Sequence, residues 1–352
     1  MRLYLIVLFV SLAFASTEIS DPDYFTDALW NPMAFMVLNG DREALVIDYA
    51  TEGEIVYRLD LHAGTHHGRA LAAGPGPGEL NDGGDKIIGQ FADGSFFLWD
   101  SGDRRASLFD ADLTYIGPVR ESERGRAATM ALVNDSTVAV LRFSASDELF
   151  TIHRLTRTTE HAVIVEEPLY VITTAAHEAL QPMADNPLLR QGWFHRQEDT
   201  LCWGVRYSSL VVCLDEQRVR HAGLTAGDLQ LPNYKNEPGV YEAPDAAKYP
   251  SGIVDISVGA RHVYVLFSDR KVSRLRALRV AVTGGMSGLE SLLDDVLHTD
   301  QLHVLDRETG ALTQTITLPV RGKHINVKDG HVYLLNTVDA EPTIHRIERA
   351  AL

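Results

Sequence analysis

The chain is poor in cysteine and in positive charge. Two of its 352 residues are cysteine, which excludes a disulfide-dense scaffold and a cysteine-rich zinc module. It carries 32 Lys and Arg against 48 Asp and Glu, giving a formal net charge of −16. Nucleic-acid binding requires a basic face that neutralises phosphates, so no nucleic-acid partner is expected. Docking on an anionic membrane surface is disfavoured for the same reason.

Long apolar runs are also scarce. The segment Leu3–Ala15 is apolar except for Ser11 and is shorter than the roughly 20 residues that span a bilayer. With Arg2 before it and small residues at its end, it has the pattern of a secretory signal that is cleaved before Ser16. We therefore expect a signal peptide over 1–15, a single domain over 16–352 without an integral membrane segment, and export to the periplasm or the extracellular space. An uncleaved N-terminal anchor is the alternative.

Export gives the two cysteines a possible role. Cys202 and Cys213 lie in strand-like segments on either side of Arg206-Tyr207-Ser208-Ser209, so they should face each other across a hairpin. An oxidising compartment favours a disulfide between them. Two buried thiols are the alternative, because small apolar thiols are common in protein cores.

Short runs rich in Val, Ile, Leu, Tyr and Phe recur along the chain, separated by Gly, Asp and Asn. The segment Ile87–Gly117 contains four such runs joined by tight turns, and the pattern repeats six times. The six units begin near Met33, Asp85, Ala127, Leu188, Gly252 and Lys323. A single meander cannot bury both of its faces, so the repeat predicts an all-β fold, a six-bladed β-propeller of four-stranded antiparallel blades.

The last unit shows three strands, and the segment Asp23–Trp30 is expected to supply the fourth and close the ring. Four connections are long, and all four are expected on one face of the propeller: Ala73–Gly84, Glu167–Pro187, Gly223–Ser251 and Arg270–Asp300. A short helix is predicted over Ser287–Leu297. Long loops on a rigid scaffold are usually either functional or disordered.

The leading functional hypothesis is an exported binding module that recognises a small ligand or a protein partner through this long-loop face over the central channel. Six residues at or beside turns between second and third strands are the candidate ligand-binding residues: Asp100, Asp103, Arg104, Arg142, Arg206 and Tyr207. This hypothesis requires no catalytic residue, no metal and no cofactor.

The segment Gly74-Pro75-Gly76-Pro77-Gly78-Glu79-Leu80 resembles the G-x-GPGE-F signature of TolB-like six-bladed β-propeller proteins, with Leu80 in place of the usual Phe. Tyr264–Ser268 followed by Gln301–Asp306 and Gly310 looks like a late motif of the same family, and NHL-like propellers are similar. The resemblance implies the fold and export more than an activity. No Lys-Ser or Lys-Thr follows the glycines, so they are expected to permit positive φ angles rather than to cradle a phosphate.

The alternative function is enzymatic. Six-bladed hydrolases and lyases of the gluconolactonase and NHL-lyase type place Glu, Asn and Asp around a calcium ion in the central channel, so calcium is the possible cofactor here. The inward candidates in this chain are Asp85, Asp255, His324 and Asn326. Asp255 lies within an apolar strand, where a buried carboxylate with satisfied hydrogen bonds is the simpler interpretation. No G-x-S-x-G motif supports serine hydrolysis.

Overall fold

A computed structural model describes residues 16–19, 32–38, 42–48, 56–61, 63, 65–69, 71–81, 84–120, 127, 129–142, 146–158, 160–164, 167–184, 187–224, 252–270, 292, 297–337 and 342–348. Regular structure in these residues is dominated by β-strands. Three short 3₁₀ segments follow the fourteenth strand, at Thr174–Ala176, Glu178–Met183 and Pro187–Arg190. No helix in the described part of the chain is long and apolar enough to cross a membrane.

The strands, in chain order, are β1 (Ser16–Ile19), β2 (Pro32–Val37), β3 (Glu43–Asp48), β4 (Val56–Asp60), β5 (Thr65–Arg69), β6 (Lys86–Gln90), β7 (Phe96–Asp100), β8 (Arg105–Phe109), β9 (Tyr115–Arg120), β10 (Thr129–Asn134), β11 (Thr137–Leu141), β12 (Glu148–Arg157), β13 (Ala162–Ile164), β14 (Tyr170–Thr173), β15 (Gly192–Gln197), β16 (Thr200–Val205), β17 (Leu210–Leu214), β18 (Val219–Leu224), β19 (Gly252–Val258), β20 (His262–Ser268), β21 (Thr299–Asp306), β22 (Leu312–Gly322), β23 (His324–Lys328), β24 (His331–Asn336) and β25 (Thr343–Glu348).

Consecutive strands pair antiparallel into meanders. Three four-stranded sheets have the orders β2-β3-β4-β5, β15-β16-β17-β18 and β19-β20-β21-β22. A fourth has the order β1-β25-β24-β23, so the strand nearest the N-terminus completes the sheet nearest the C-terminus. The closing strand was expected at Asp23–Trp30, and that expectation is wrong. Ser16–Ile19 takes the position instead, with Ser16 opposite Ile347, and residues 23–30 lie outside the described residues.

The remaining strands form one nine-stranded sheet made of two meanders, β6 to β9 and β10 to β12. Strand β13 joins them, because it pairs antiparallel with β12 and parallel with β9. A Cβ on Gly117 of β9 would lie 1.7 Å from the carbonyl oxygen of Glu160, so glycine permits the close approach of the segment that leads into β13. Strand β14 pairs with the other part of β12. It lies in Glu167–Pro187, which was expected to be a long connection, so that expectation is corrected.

The first strands of successive meanders are neighbours in a cyclic order: β2 contacts β6, β6 contacts β10, β10 contacts β15, β15 contacts β19, β19 contacts β23, and β23 contacts β2. Apolar clusters fill the space between successive meanders around the same cycle. Strands in the middle of the meanders are therefore buried on both faces. This burial explains why Phe96–Asp100, Thr137–Leu141 and Leu210–Leu214 read as short continuous apolar runs rather than as alternating patterns.

Two of the long connections predicted from the sequence, Gly223–Ser251 and Arg270–Asp300, lie mostly outside the described residues, and so does most of the predicted helix over Ser287–Leu297. Whether the long connections share one face therefore stays a prediction. The first connection is described except for residues 82 and 83. In it, Gly78 has a φ of +77°, which agrees with the conformational role expected for these glycines.

Candidate functional site

Two cavities follow the axis that the first strands surround. The larger has a volume of about 220 Å³ and the smaller about 70 Å³. They share one wall residue from each of four strands: Met36 of β2, Ile88 of β6, His195 of β15 and Asn326 of β23. The cavities are therefore adjacent compartments of one axial channel.

Strand alternation explains which side chains form the walls. Residues two apart point to the same face of a strand, and polar residues recur at this spacing on the first strands. On β15 they are His195 and Gln197, and on β23 they are His324, Asn326 and Lys328. Each of these side chains lines at least one of the two cavities.

His195 lies where the two cavities meet, and its ring is held by β19 and β23. The backbone N–H of Val258 donates to Nδ1 of His195 over 3.0 Å. Nε2 is 3.4 Å from Oγ of Ser257 and 3.2 Å from Nδ2 of Asn326. Burial lowers the pKa of His195 to about 4, so the ring is neutral at pH 7. Because Nδ1 accepts a hydrogen bond, the single ring proton is on Nε2.

Asp255 lines the smaller cavity, and its carboxylate has hydrogen-bond partners on both oxygens. Oδ1 accepts from the N–H of Ile256 over 2.8 Å, and Oδ2 accepts from the N–H of Ile325 over 2.9 Å. Oδ2 is also 3.4 Å from Nδ1 of His324. The predicted satisfied carboxylate is thus present, and it connects β19 to β23. Nε2 of His324 is buried without a hydrogen-bond partner among the described residues.

A buried ion pair lies beside the smaller cavity. Nζ of Lys86 is 3.0 Å from Oδ1 of Asp100, and both side chains are at most 1% exposed. The same carboxylate accepts hydrogen bonds from the N–H groups of Asn81 (2.7 Å) and Gly102 (2.9 Å). Burial lowers the pKa of Lys86, while Asp100 opposes that shift. These contacts fix the start of β6 against the turn after β7.

Charged residues surround the larger cavity, and several of them are paired. Arg196 donates to the carbonyl oxygens of Glu198 (2.9 Å) and Gln90 (3.4 Å) and to Oδ1 of Asp135 (3.0 Å). The Glu198 carboxylate is 3.6 Å from Nη1 of Arg307. The Arg196 guanidinium therefore joins β15 to β6 at this end of the channel. Lys328 is the other cation in the described wall.

The candidate ligand residues of the β7–β8 turn have structural contacts. Asp100 is committed to the contacts just described. Oδ1 of Asp103 accepts from Nδ2 of Asn81 over 3.0 Å, and Oδ2 lies 3.3 Å from Nη2 of Arg105. Arg104 adopts a positive φ of 51°, which serves the tight turn. The Asp100 carboxylate thus caps backbone N–H groups in this turn.

The other candidates lie at equivalent turns. Arg142 follows β11 directly, and Arg206 and Tyr207 follow β16. The Arg206 guanidinium lies 5.5 Å from the ring centre of Trp193, 5.1 Å from that of Tyr207 and 4.0 Å from Oδ2 of Asp85. Trp193 lines the smaller cavity, so this group borders the channel. The described cavity walls do not include the six candidates, and their ligand-binding role stays a prediction.

Cys202 and Cys213 are opposite each other on β16 and β17 and form a disulfide with a Cα–Cα distance of 4.1 Å. Both residues are fully buried in the cluster between this sheet and the next one. Neither cysteine is among the residues that line the two cavities, so the disulfide is a structural element rather than part of the site.

The Gly74–Leu80 segment is folded on itself. Gly76 donates its N–H to Oε2 of Glu79 over 2.6 Å, and the Glu79 N–H donates to the Gly76 carbonyl over 3.1 Å. The Arg105 guanidinium donates to the carbonyl oxygens of Pro75 (2.6 Å) and Glu79. The backbone of this loop is therefore bound by the carboxylate of its own Glu79 and by Arg105 of β8. This agrees with the prediction that the segment has a conformational role rather than a phosphate-binding one.

Sequence reasoning identified Asp255, His324 and Asn326 as inward-facing, and all three line the smaller cavity. It placed Asp85 inward as well, whereas Asp85 pairs with Arg206 at the channel border. His195 was not predicted to face inward. The sequence feature that could have indicated it is its position two residues after Trp193 on a first strand. No group of three His, Cys, Asp or Glu side chains suited to a metal ion occurs among the described residues.

No family model matches the chain, and no curated protein is significantly similar to it. Solved structures are similar in fold. A member of the DUF4221 family from Bacteroides vulgatus is 10% identical, with 95% of each chain covered and a TM-score of 0.50. The β-propeller domain of Cps50 (Swd1) from Myceliophteria thermophila is 10% identical, with 94% of this chain and 98% of that chain covered and a TM-score of 0.42. The described residues are predominantly β-strand, and a β-propeller domain is among the solved structures that resemble the chain.

Proposed function

We propose that this chain is an exported six-bladed β-propeller that binds a small polar solute in its axial channel. The cyclic contacts of the six first strands and the apolar clusters between successive meanders support the blade count. Strand β1 completes the sixth blade. The Gly74–Leu80 motif supports placing the chain with the TolB-like or NHL-like propellers.

The observation that carries the binding proposal is the larger cavity. It has a volume of about 220 Å³ and presents polar groups from β6, β15 and β23. Small-molecule pockets typically measure about 300–1,000 Å³ and orient their ligands with a few well-placed polar groups. The cavity is below that range, so the ligand is smaller than a typical drug molecule. His195 accepts a hydrogen bond from β19, and Arg196 donates one to Asp135 in the turn between β10 and β11, so both side chains are held in place by the protein itself.

A pair of matched variants tests this proposal. Ala92 is exposed and lines the larger cavity, and Ala260 is also exposed, on another turn whose residues are absent from the described walls. Sugars, amino acids, carboxylates and nucleosides are screened by thermal shift, and hits are titrated calorimetrically. We expect a saturable hit whose affinity falls at least tenfold in Ala92→Trp and stays within twofold in Ala260→Trp. Equal affinity in both variants, or no hit in the screen, would contradict binding in the cavity.

Export is proposed from the sequence pattern of residues 1–15. Strand β1 starts at Ser16, the first residue after the expected cleavage point, so cleavage there would retain the whole strand. Intact mass of the protein recovered from the periplasm or medium of a bacterial host tests this. We expect a chain that begins at Ser16 and a formal net charge one unit more negative, since Arg2 is lost. Recovery of the full-length chain in the cytosolic fraction would contradict export.

A further inference from the structure

His324 has one ring nitrogen that the fold leaves without a partner. The residue is 6% exposed and lines the smaller cavity. Its Nδ1 lies 3.4 Å from Oδ2 of Asp255, and because a carboxylate offers only acceptors, the neutral ring carries its proton on Nδ1. Nε2 then holds a lone pair, and it is buried with no hydrogen-bond partner among the described residues. Buried polar atoms are seldom left unsatisfied, so this nitrogen is an acceptor that a bound group can use.

Asp255 supplies negative charge beside this acceptor. Its carboxylate accepts from the backbone N–H groups of Ile256 and Ile325 and faces His324, and no ion pair of the described residues joins it to a Lys or an Arg. Each carboxylate oxygen has two lone pairs. Oδ1 uses one of them on the Ile256 N–H, so it can accept a further hydrogen bond. Asp255 and His324 therefore present acceptors next to a negative charge.

The cations near the smaller cavity have carboxylates of their own. Lys86 lines this cavity, and its Nζ is 3.0 Å from Oδ1 of Asp100. Arg206 borders the channel, and its Nη1 is 4.0 Å from Oδ2 of Asp85. Each of these pairs carries little net charge as a unit, so neither of them cancels the charge of Asp255.

The charge of Asp255 also acts at the point where the two cavities meet. Burial is the main cause of the low pKa of His195, and two charged residues act on this pKa in opposite directions. Asp255 raises it more than Lys328 lowers it, so positive charge is favoured at this junction. The net charge of the chain, −16, has the same sign as Asp255 and would attract a cationic solute from solution.

We propose that the smaller cavity binds the primary ammonium group of a small organic amine, with Nε2 of His324 and the Asp255 carboxylate as its hydrogen-bond acceptors. This inference rests on the proposed function and specifies its ligand class. An ammonium group donates three hydrogen bonds, and bonds to or from an ionised group are roughly twice as strong as neutral ones.

The sizes of the two cavities fit such a ligand. The volume of about 70 Å³ in the smaller cavity accommodates a terminal group rather than a whole ligand. The adjacent cavity of about 220 Å³ accommodates the remainder. Met36 and Ile88 line both cavities, so they offer an apolar wall to the carbon chain that joins the two parts.

The test compares amines with hydroxyl analogues of similar shape: propylamine with propan-1-ol, ethanolamine with ethane-1,2-diol, and putrescine with butane-1,4-diol. Each is titrated calorimetrically into the purified protein at pH 8, where ordinary imidazoles are neutral and primary amines are charged, with calcium chloride as a further arm. We expect at least one amine to bind roughly tenfold more tightly than its analogue. Asp255→Asn should weaken that binding roughly tenfold because it removes the charge, and His324→Phe should do the same because it removes the acceptor.

Asp215→Asn and His221→Phe are the matched controls. The Asp215 side chain is 18% exposed, close to the 16% of Asp255, and it also accepts from backbone N–H groups. His221 is buried and, like His324, has a ring nitrogen without a hydrogen-bond partner among the described residues. Neither control residue belongs to the described cavity walls, so both variants should retain the affinity within about twofold.

Thermal melts followed by circular dichroism establish that each variant is folded before it is titrated. Equal binding of the hydroxyl analogues, binding of calcium without any amine, or unchanged affinity in Asp255→Asn or His324→Phe would overturn the ammonium assignment. If those two variants do not fold, the comparison of amines with their analogues in the wild-type protein decides the question. If no amine binds to the folded wild-type protein, this inference is wrong, and the proposed function still stands where a neutral solute binds and Ala92→Trp blocks it.

Discussion

The backbone N–H of Val258 donates to Nδ1 of His195 across 3.0 Å, which links β19 to β15 at the centre of the molecule. The two residues are 63 apart in the sequence, so the bond forms only when two separate meanders have docked. It makes Nδ1 the acceptor in a neutral histidine, so the ring proton is on Nε2.

The depressed pKa of His195 predicts how stability depends on pH. The folded-state pKa of about 4 is below the ordinary value of 6.5, so between these values the unfolded chain binds more protons than the folded one. This contribution is fully present above pH 6.5 and is lost as the pH falls towards 4. We expect the wild type to lose roughly 1 to 3 kcal/mol more than His195→Gln between pH 7 and pH 4. Urea unfolding at several pH values measures this, and parallel profiles would contradict it.

The ion pair between Lys86 and Asp100 predicts a large effect of a single substitution. Lys86→Met leaves the Asp100 carboxylate buried without its cation, which should lower the free energy of unfolding by about 3 to 5 kcal/mol. The double variant Lys86→Met/Asp100→Asn should recover part of this loss because it removes the unpaired charge. Chemical denaturation of the three proteins tests the prediction. A double variant that is less stable than Lys86→Met would show that the charge is not the cause.

The burial of the disulfide predicts that its susceptibility to reduction differs between the native and the denatured protein. Cys202 and Cys213 are fully buried, so a thiol reductant should leave them oxidised in the folded state and reduce them in urea. Because the bond closes a loop with a sequence separation of 11, its loss should lower the free energy of unfolding by about 2 to 3 kcal/mol. Thiol alkylation followed by mass spectrometry, together with urea melts with and without reductant, measures both effects. Rapid alkylation of the folded protein would contradict the burial argument.

The pairing of β1 with β25 predicts that residues 16–19 are needed to complete the sheet of β23, β24 and β25. A chain that begins at residue 20 lacks Ser16–Ile19 and leaves the edge of β25 without its partner. Losing the hydrogen bonds of four residue pairs should cost about 2 to 4 kcal/mol, and the exposed edge should promote self-association. A chain that begins at residue 16 is the matched control. Thermal melts and analytical ultracentrifugation compare the two, and identical behaviour would show that β1 is dispensable.

The sequence predicted the meanders better than it predicted their edges. Units expected to begin near Asp85, Gly252 and Lys323 start at Lys86, Gly252 and His324, because first strands follow clear turn residues and carry apolar residues. The closing strand Ser16–Ile19 was missed, since it is four residues long and lacks an apolar pattern. Strand β14 was also missed, because edge strands need not be buried. Tyr170 and Val171 are 39% and 43% exposed.

The candidate site was predicted in part, for reasons of the same kind. Asp255, His324 and Asn326 stood out because a polar residue inside an apolar strand requires a partner. His195 did not stand out, because β15 is half-buried along its whole length and offers no contrast. The cavity itself arises from spacing between strands that are distant in sequence, and local patterns carry no information about that spacing.

The junction made by β13 has a consequence for how the molecule opens. Since β13 connects β9 to β12, the strands from β6 to β14 share one continuous network of backbone hydrogen bonds. Amide exchange in this quarter of the chain should therefore require a larger cooperative opening than exchange in the separate four-stranded sheets. A side chain at position 117 would break this network, because a Cβ there would collide with the backbone of Glu160.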